Sequence, residues 1–215
     1  MHPFDVWAFR YDEWYDRPFG RSAYVAEVAC LQRLKPTFQR GLEVGVGTGR
    51  FASMLGVAFG LDPSQVELRI ARARGVQPVQ GVGEALPFLA ESFDLVLIVV
   101  TLCFVEDPVR VLLESVRVLT PGGHVLLGLI LQDSPWAEFY QTKARQGHPI
   151  YRLARFYSFE QVVSWLEAAG LRVEGVASTL FEPPQDIEPI RNLEIRDGFW
   201  PAAGFTCIRA GKIRG

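Results

Sequence analysis

The run Leu42-Glu43-Val44-Gly45-Val46-Gly47-Thr48-Gly49-Arg50-Phe51 takes an apolar strand into an acid and then through three alternating glycines. Lacking a Cβ, Gly45, Gly47 and Gly49 reach backbone angles closed to other residues and let a ligand touch bare main chain. The rest of the chain places that turn in a layered architecture. Apolar strands and amphipathic helices alternate, without repeats or low-complexity linkers. Such alternation predicts crossover units and a mainly parallel sheet covered on both faces.

The glycine spacing narrows the ligand. A dinucleotide loop reads G-x-G-x-x-G and seats a pyrophosphate on a helix N-terminus. Counted from Gly45 and Gly47, the third glycine of that pattern falls on Arg50, which disfavours a nicotinamide dehydrogenase. Glu43 would repel a pyrophosphate and suits a ligand carrying positive charge. S-adenosylmethionine has a sulfonium, an ammonium and no phosphate.

At these residues, and in order from about Tyr11 to Gly170, the chain resembles the class I S-adenosylmethionine-dependent methyltransferases, in particular the branch called methyltransferase type 11. The resemblance implies that the loop from Glu43 to Gly49 wraps the methionine end of the cofactor. Glu43 would engage its ammonium, with the backbone of Gly45 and Gly47 around it. It also implies a Rossmann-like, doubly wound α/β sheet of seven strands in the order 3-2-1-4-5-7-6, the last antiparallel. Ligands in such sheets bind at the carboxyl ends of the strands where the order reverses, here between the first and the fourth.

A second strand, near Val57 to Leu61, is stopped by Asp62 and followed by Pro63-Ser64, a helix-start signal. Asp62 stands at the roughly 20-residue offset at which an acid reaches a ribose hydroxyl pair, and a carboxylate accepts both hydroxyl protons. The competing role is a cap for the helix starting near Ser64. Further on, Leu86-Pro87-Phe88 matches the family's Leu-Pro-Phe after its Gly-Asp-Ala-Glu run. Val82 stands where the family usually has an aspartate against the adenine amino group. Adenine is then left to the backbone near Gly83, to Glu84, or to apolar neighbours such as Leu61 and Pro63. Val99, at the end of the fourth strand, joins this expected cofactor wall.

Helices are predicted near Tyr24 to Leu34, Ser64 to Arg74, Val109 to Leu119, Trp136 to Gln146 and Ser158 to Ala169. Further strands are predicted near Leu42 to Gly45, Pro78 to Gln80, Phe93 to Val100, His124 to Leu131, Leu171 to Val176 and Phe205 to Arg209. Pro121-Gly122-Gly123 reads as a turn before the fifth strand, another likeness to the family.

The methyl acceptor is expected where the fourth strand delivers Thr101 and Phe104 to the rim. The Asn/Asp-Pro-Pro-aromatic tetrad of enzymes that methylate nucleic acid bases or glutamine is missing there. Two segments are expected to close over the site: an N-terminal cap over about residues 1–35, and a lid insertion over about 133–157, within one methyltransferase domain of 215 residues. In the cap, Tyr11 and Tyr15 belong to a Tyr-Asp-x-Trp-aromatic segment that in many relatives folds over the cofactor. They read equally as a surface helix packed on the core. The lid offers Trp136, Tyr140, Tyr151, Arg152 and Arg155 as substrate contacts, which points to a planar or anionic acceptor. His148 is the candidate general base, set against the bland reading of a surface histidine. His124 reads as structural and His2 as terminal.

With 49% hydrophobic residues and a net charge of −2, the chain has ample material for one core and no electrostatic footprint for nucleic acid. The longest apolar run, Leu95 to Val105, is too short to span a bilayer. Cys30, Cys103 and Cys207 are few and widely spaced, which favours a reducing cytoplasm over a disulfide frame. No metal-ligand spacing occurs, and the start of the chain has no basic segment followed by an apolar one. The sequence therefore reads as a cytoplasmic methyltransferase that passes a methyl group from S-adenosylmethionine to a small molecule, leaving S-adenosylhomocysteine. A protein that binds either nucleoside without transferring anything, as a regulator or assembly partner, is the competing reading.

Overall fold

The computed structural model describes residues 3–185 and 187–213, so His2 lies outside the described residues. In chain order come α1 (Pro3–Trp14), α2 (Pro18–Leu34), β1 (Gly41–Val44), α3 (Arg50–Leu55), β2 (Phe59–Asp62), α4 (Gln65–Ala73), β3 (Gln77–Gln80) and β4 (Phe93–Val99). They are followed by α5 (Pro108–Val118), β5 (Leu119–Leu129), α6 (Pro135–Arg145), a 3-10 turn (Tyr151–Leu153), α7 (Phe159–Ala168), β6 (Leu171–Thr179), β7 (Ile195–Asp197) and β8 (Phe205–Lys212).

Helix starts are written in local chemistry. The side chains of Ser64, Asp107, Ser134 and Ser158 each accept a backbone N–H from the first turn of the helix that follows, each cap being worth about 1 kcal/mol. Pro108 and Pro135 sit at first-turn positions where no N–H is needed. The helix expected from Tyr24 begins earlier, at Pro18, and α1 (Pro3–Trp14) starts well before the segment from Tyr11 that read equally as a surface helix. α3 is only six residues long, too short to show a period. It is started and stopped by left-handed glycines, Gly49 at φ 81° and Gly56 at φ 75°.

Among the described residues, eight strands form one sheet in the order β3-β2-β1-β4-β5-β8-β6-β7. The expected seven-strand order is present, with the long last strand β8 running antiparallel between β5 and β6. The count of seven is corrected by β7, whose three residues pair antiparallel with β6 at the sheet edge. Three residues carry no readable alternation. Pro121-Gly122-Gly123 is likewise not a turn ahead of β5. Phe93 pairs with Leu119 and Leu95 with His124, so the intervening residues bulge out of a strand that has already begun.

Both faces are covered, as parallel strands require. On β4, Leu95, Leu97 and Val99 face a core shared with Phe19, Leu31 and Trp136. Val96 and Ile98 face the other, with Val111, Leu112 and Leu166. Burying such a side chain contributes about 1.5–3 kcal/mol, so the strand's register is set by both cores together. β4 stops at Val100, whose φ of 48° lies in a region that β-branched residues rarely adopt. Its N–H donates to Gly128 O at 2.8 Å, and the chain turns sharply away at the carboxyl end of the sheet.

Candidate functional site

A cavity of about 660 Å³ opens at the carboxyl ends of β1 and β4, where the strand order reverses. Its floor is the glycine turn. Gly45 and Gly47 take φ of 72° and 50°, and the N–H groups of Gly45 and Val46 donate to Leu61 O, which ties the turn to β2. The two glycines serve different ends. A Cβ on Gly45 would come within 2.2 Å of the Thr101 methyl, whereas one on Gly47 would meet nothing nearer than the Glu67 carboxyl at 4.0 Å. Gly45 lets two segments of protein approach each other, and Gly47 presents bare backbone to the cavity.

Glu43 stands in the cavity wall, 1% exposed, and its Oε2 has no hydrogen-bond partner. Burial, and to a lesser degree the charge of Asp62, push its carboxyl well above the usual range, against the opposing effect of a backbone hydrogen bond at Ala52. An orphaned buried carboxyl facing a cavity is costly and becomes favourable when a cation arrives. Asp62 occupies the next stretch of wall. Its Oδ2 accepts the Gly47 N–H at 3.0 Å and its Oδ1 the Ser64 N–H at 2.8 Å. It is therefore not the cap of α4, which is Ser64. Glu67, buried on α4, hydrogen-bonds the Asp62 carboxyl and also lines the cavity. Sequence reading passed over it because a glutamate three residues after a helix-capping serine reads as part of the cap.

α1 closes one side. Asp12 accepts from Thr48 Oγ1 (2.6 Å), from Arg50 Nε (2.8 Å) and from both terminal nitrogens of Arg74 (2.9 and 2.8 Å). Burial alone would raise its pKa, but these hydrogen bonds from Arg50, Arg74 and Thr48 hold it well below the usual carboxylate range. Arg50 also pairs with Asp16, and Arg74 donates to Thr48 O. The residue that breaks the dinucleotide pattern is thus a clamp joining α1 to the glycine turn. Tyr11 on α1 and Tyr15 in the turn just after it line the cavity with their hydroxyls 3.0 Å apart, and burial raises both phenols.

The single Thr101 hydroxyl proton is shared between Val99 O at 2.9 Å and Gly45 O at 3.3 Å, bracing the end of β4 against the glycine turn. Phe104 meets Phe4 of α1 edge to face, with centroids 5.2 Å apart. Both rings line the cavity, together with Leu153 and Arg155, and Arg155 is anchored through its N–H to Cys103 O at 2.7 Å. Phe4 and Leu153 were missed because an apolar residue outside a motif carries no signal of its own. Pro63, Val82, Gly83, Glu84 and Val99 also line the cavity. The Glu84 carboxylate is committed elsewhere, since its Oε1 accepts the N–H groups of Glu106 (2.9 Å) and Asp107 (3.3 Å).

Several expected site residues are not brought there. Gly49 caps α3 and packs on Ala71. Trp136 is buried and stacked on Phe19, its indole N–H donating to Glu182 O. Tyr140 is buried against Tyr151, and Arg152 is exposed outside the lining. His148, the expected base, stacks on Tyr151 with ring centroids 4.3 Å apart and is not among the residues lining the cavity. Packing explains the placement of Trp136 and Tyr140: the amphipathic helix α6 docks its aromatic face into the core. Cys103 is buried, and burial pushes its thiol up to about 12, which leaves it unreactive near neutral pH.

Comparison with known proteins gives the same picture. Residues 42–127 match the model of the family described as "Methyltransferase domain". The chain is 45% identical over 208 residues to an uncharacterized protein of Mycobacterium tuberculosis, covering 94% of this chain and 71% of that one. It is 29% identical over 171 residues to the ubiquinone biosynthesis O-methyltransferase of Xanthomonas axonopodis, 70% of each chain. A crystal structure from Thermotoga maritima, of a SAM-dependent methyltransferase called a possible histamine N-methyltransferase, superposes with a TM-score of 0.90 at 36% identity over 99% of both chains. The cavity fits the shared cofactor, with an uncompensated buried acid at Glu43, open backbone at Gly47 and a second acid at Asp62. The chain belongs to the class I S-adenosylmethionine-dependent methyltransferases, in the type 11 branch, and S-adenosylmethionine is its cofactor.

Proposed function

We propose that the protein transfers the methyl group of S-adenosylmethionine to a small-molecule acceptor by in-line displacement in the cavity between β1 and β4. The observation that carries this reading is the partnerless Glu43 Oε2 in the cavity wall, which suits the ammonium of the methionine end. Asp62 takes the ribose and Gly47 the main-chain contact. Leu61, Pro63 and Val82 form an apolar slot for adenine, with Gly83 and Glu84 beside it. Bound there, the cofactor supplies a methyl group on a sulfonium with a good leaving group. The chain's own task is then orientation and exclusion of water, which suffices for much of the acceleration in a displacement of this kind.

The acceptor's place is the part of the cavity walled by Phe4, Thr101, Phe104 and Leu153, with Arg155 at its rim. Apolar walls with one guanidinium suit a flat or apolar-bodied acceptor bearing an anionic or hydrogen-bonding group. One relative is named a ubiquinone biosynthesis O-methyltransferase and one solved structure a possible histamine N-methyltransferase, which supports the class without choosing the methylated atom. No helix among the described residues is long and apolar enough to cross a membrane. Three free, buried cysteines are in keeping with a reducing cytoplasm. Calorimetry with S-adenosylhomocysteine, followed by single-turnover transfer of labelled methyl to a panel of small acceptors, tests the proposal. Tight binding without transfer to any acceptor class would overturn it in favour of a binding protein.

A further inference from the structure

The sequence Ser64-Gln65-Val66-Glu67 has the spacing of a reciprocal helix cap, in which the glutamate reaches back to the serine N–H. Half of that cap is made: Ser64 Oγ accepts the Glu67 N–H at 3.2 Å. The other half is not, because Asp62 Oδ1 already takes the Ser64 N–H at 2.8 Å. Glu67, 4% exposed, is thereby released from its capping duty and faces the cavity. Both of its carboxyl oxygens lie 4.0 Å from the point where a Cβ on Gly47 would project, beside the Asp62 carboxyl that holds the Gly47 N–H.

Two hydrogen-bonded carboxyls in a buried wall cannot both be ionised; one proton must sit between them. Asp62 is the better anion, since it accepts two backbone N–H groups. Glu67 therefore holds the proton, and burial first, then Asp62, raise its pKa. The neighbouring elements reinforce this. Among the described residues, Asp5, Tyr11 and Asp12 are the groups on this side that bear on Glu67, Asp5 accepts the Ser64 hydroxyl, and the nearby Arg50 and Arg74 are spent on Asp12.

We propose that Glu67 is a second carboxyl of the ribose subsite and that it works in its neutral form, donating its proton to Asp62 and accepting a ribose hydroxyl on its other oxygen. This rests on the placement of the ribose at Asp62 given above. It makes cofactor binding proton-linked: affinity is full while Glu67 is neutral and falls as the pH rises through its raised pKa, because the ionised pair repels itself and Asp62 turns from its ligand.

Calorimetry with S-adenosylhomocysteine from about pH 6.5 to about pH 9.5 tests the linkage in wild type, Glu67→Gln and Glu67→Ala, with the melting temperature of each free protein followed alongside. The ligand's own amine titrates identically in all three, so the ratio of affinities isolates Glu67. Glutamine mimics the neutral acid: it should bind within a few-fold of wild type near neutral pH and outperform it increasingly in alkali, by up to about tenfold per pH unit. Alanine should bind roughly tenfold more weakly at neutral pH, a deficit that vanishes in alkali. If Glu67→Gln does not fold, the alanine comparison carries the same test. Parallel curves for wild type and variants, or wild-type affinity in Glu67→Ala, overturn the inference alone. Absence of S-adenosylhomocysteine binding by folded wild type at every pH overturns the ribose placement and the inference with it.

Discussion

Replacing Gly45 and Gly47 in turn by alanine separates fold from cofactor contact within one turn of chain. Both take positive φ, so either alanine costs about 1–2 kcal/mol in backbone strain. At Gly45 the new methyl would also lie 2.2 Å from Thr101 Cγ2 and 2.4 Å from its Oγ1. Neither side can retreat easily, because the Gly45 N–H is bonded to Leu61 O and Thr101 Oγ1 to Val99 O. Overpacking of this kind adds about 1–3 kcal/mol, for a total loss of about 2–5 kcal/mol. At Gly47 the methyl projects into open cavity, 4.0 Å from the nearest atoms, so its stability loss should stay near the strain figure of about 1–2 kcal/mol. Its affinity for S-adenosylhomocysteine should fall by about tenfold or more, since the methyl occupies ligand space at a close main-chain contact. Urea unfolding of the free proteins and calorimetry with the ligand read the two quantities independently. Equal destabilisation by both alanines, or undiminished affinity in Gly47→Ala, would refute the assignment of one glycine to packing and the other to the ligand.

Glu43→Gln should weaken S-adenosylhomocysteine binding by about 1.5–3 kcal/mol, the range for a hydrogen bond to a charged group, without lowering the free protein's urea midpoint; unchanged affinity would remove Glu43 from the ammonium site. Asp12→Ala leaves Arg50 and Arg74 facing one another across the clamp and should cost about 2–4 kcal/mol by urea unfolding. Because the folded Asp12 pKa lies below its unfolded value, its contribution is complete above about pH 4 and is lost as the pH falls through the folded value. Wild type should therefore lose its advantage over Asp12→Asn only in strong acid, and a gap that closed already at neutral pH would contradict the clamp. His148→Ala should leave ligand affinity and single-turnover rate unchanged, since His148 stacks outside the cavity; a collapse of the transfer rate with affinity intact would return it to the role of base.

What the sequence by itself determined was local or repeating. The order of the longer strands and helices, α1, α3 and β7 excepted, follows from runs of apolar residues, and the helix starts from Ser64, Asp107, Ser134 and Ser158, whose side chains need only their own next turn. The turn from Glu43 to Gly47, which lines the cavity, was legible because a backbone at positive φ can be built from few residue types. Tertiary structure decided whatever depends on a partner distant in the chain. Arg50 became a clamp only when α1 brought Asp12 against it, 38 positions away. Glu67 became a cavity residue only when Asp62 took the Ser64 N–H that a cap would have used. Trp136 and Tyr140 look the same in sequence whether they face an acceptor or a core, and docking of α6 on Phe19 and Tyr151 put them in the core. Periodicity records that a residue is buried; only the packed fold decides what it is buried against.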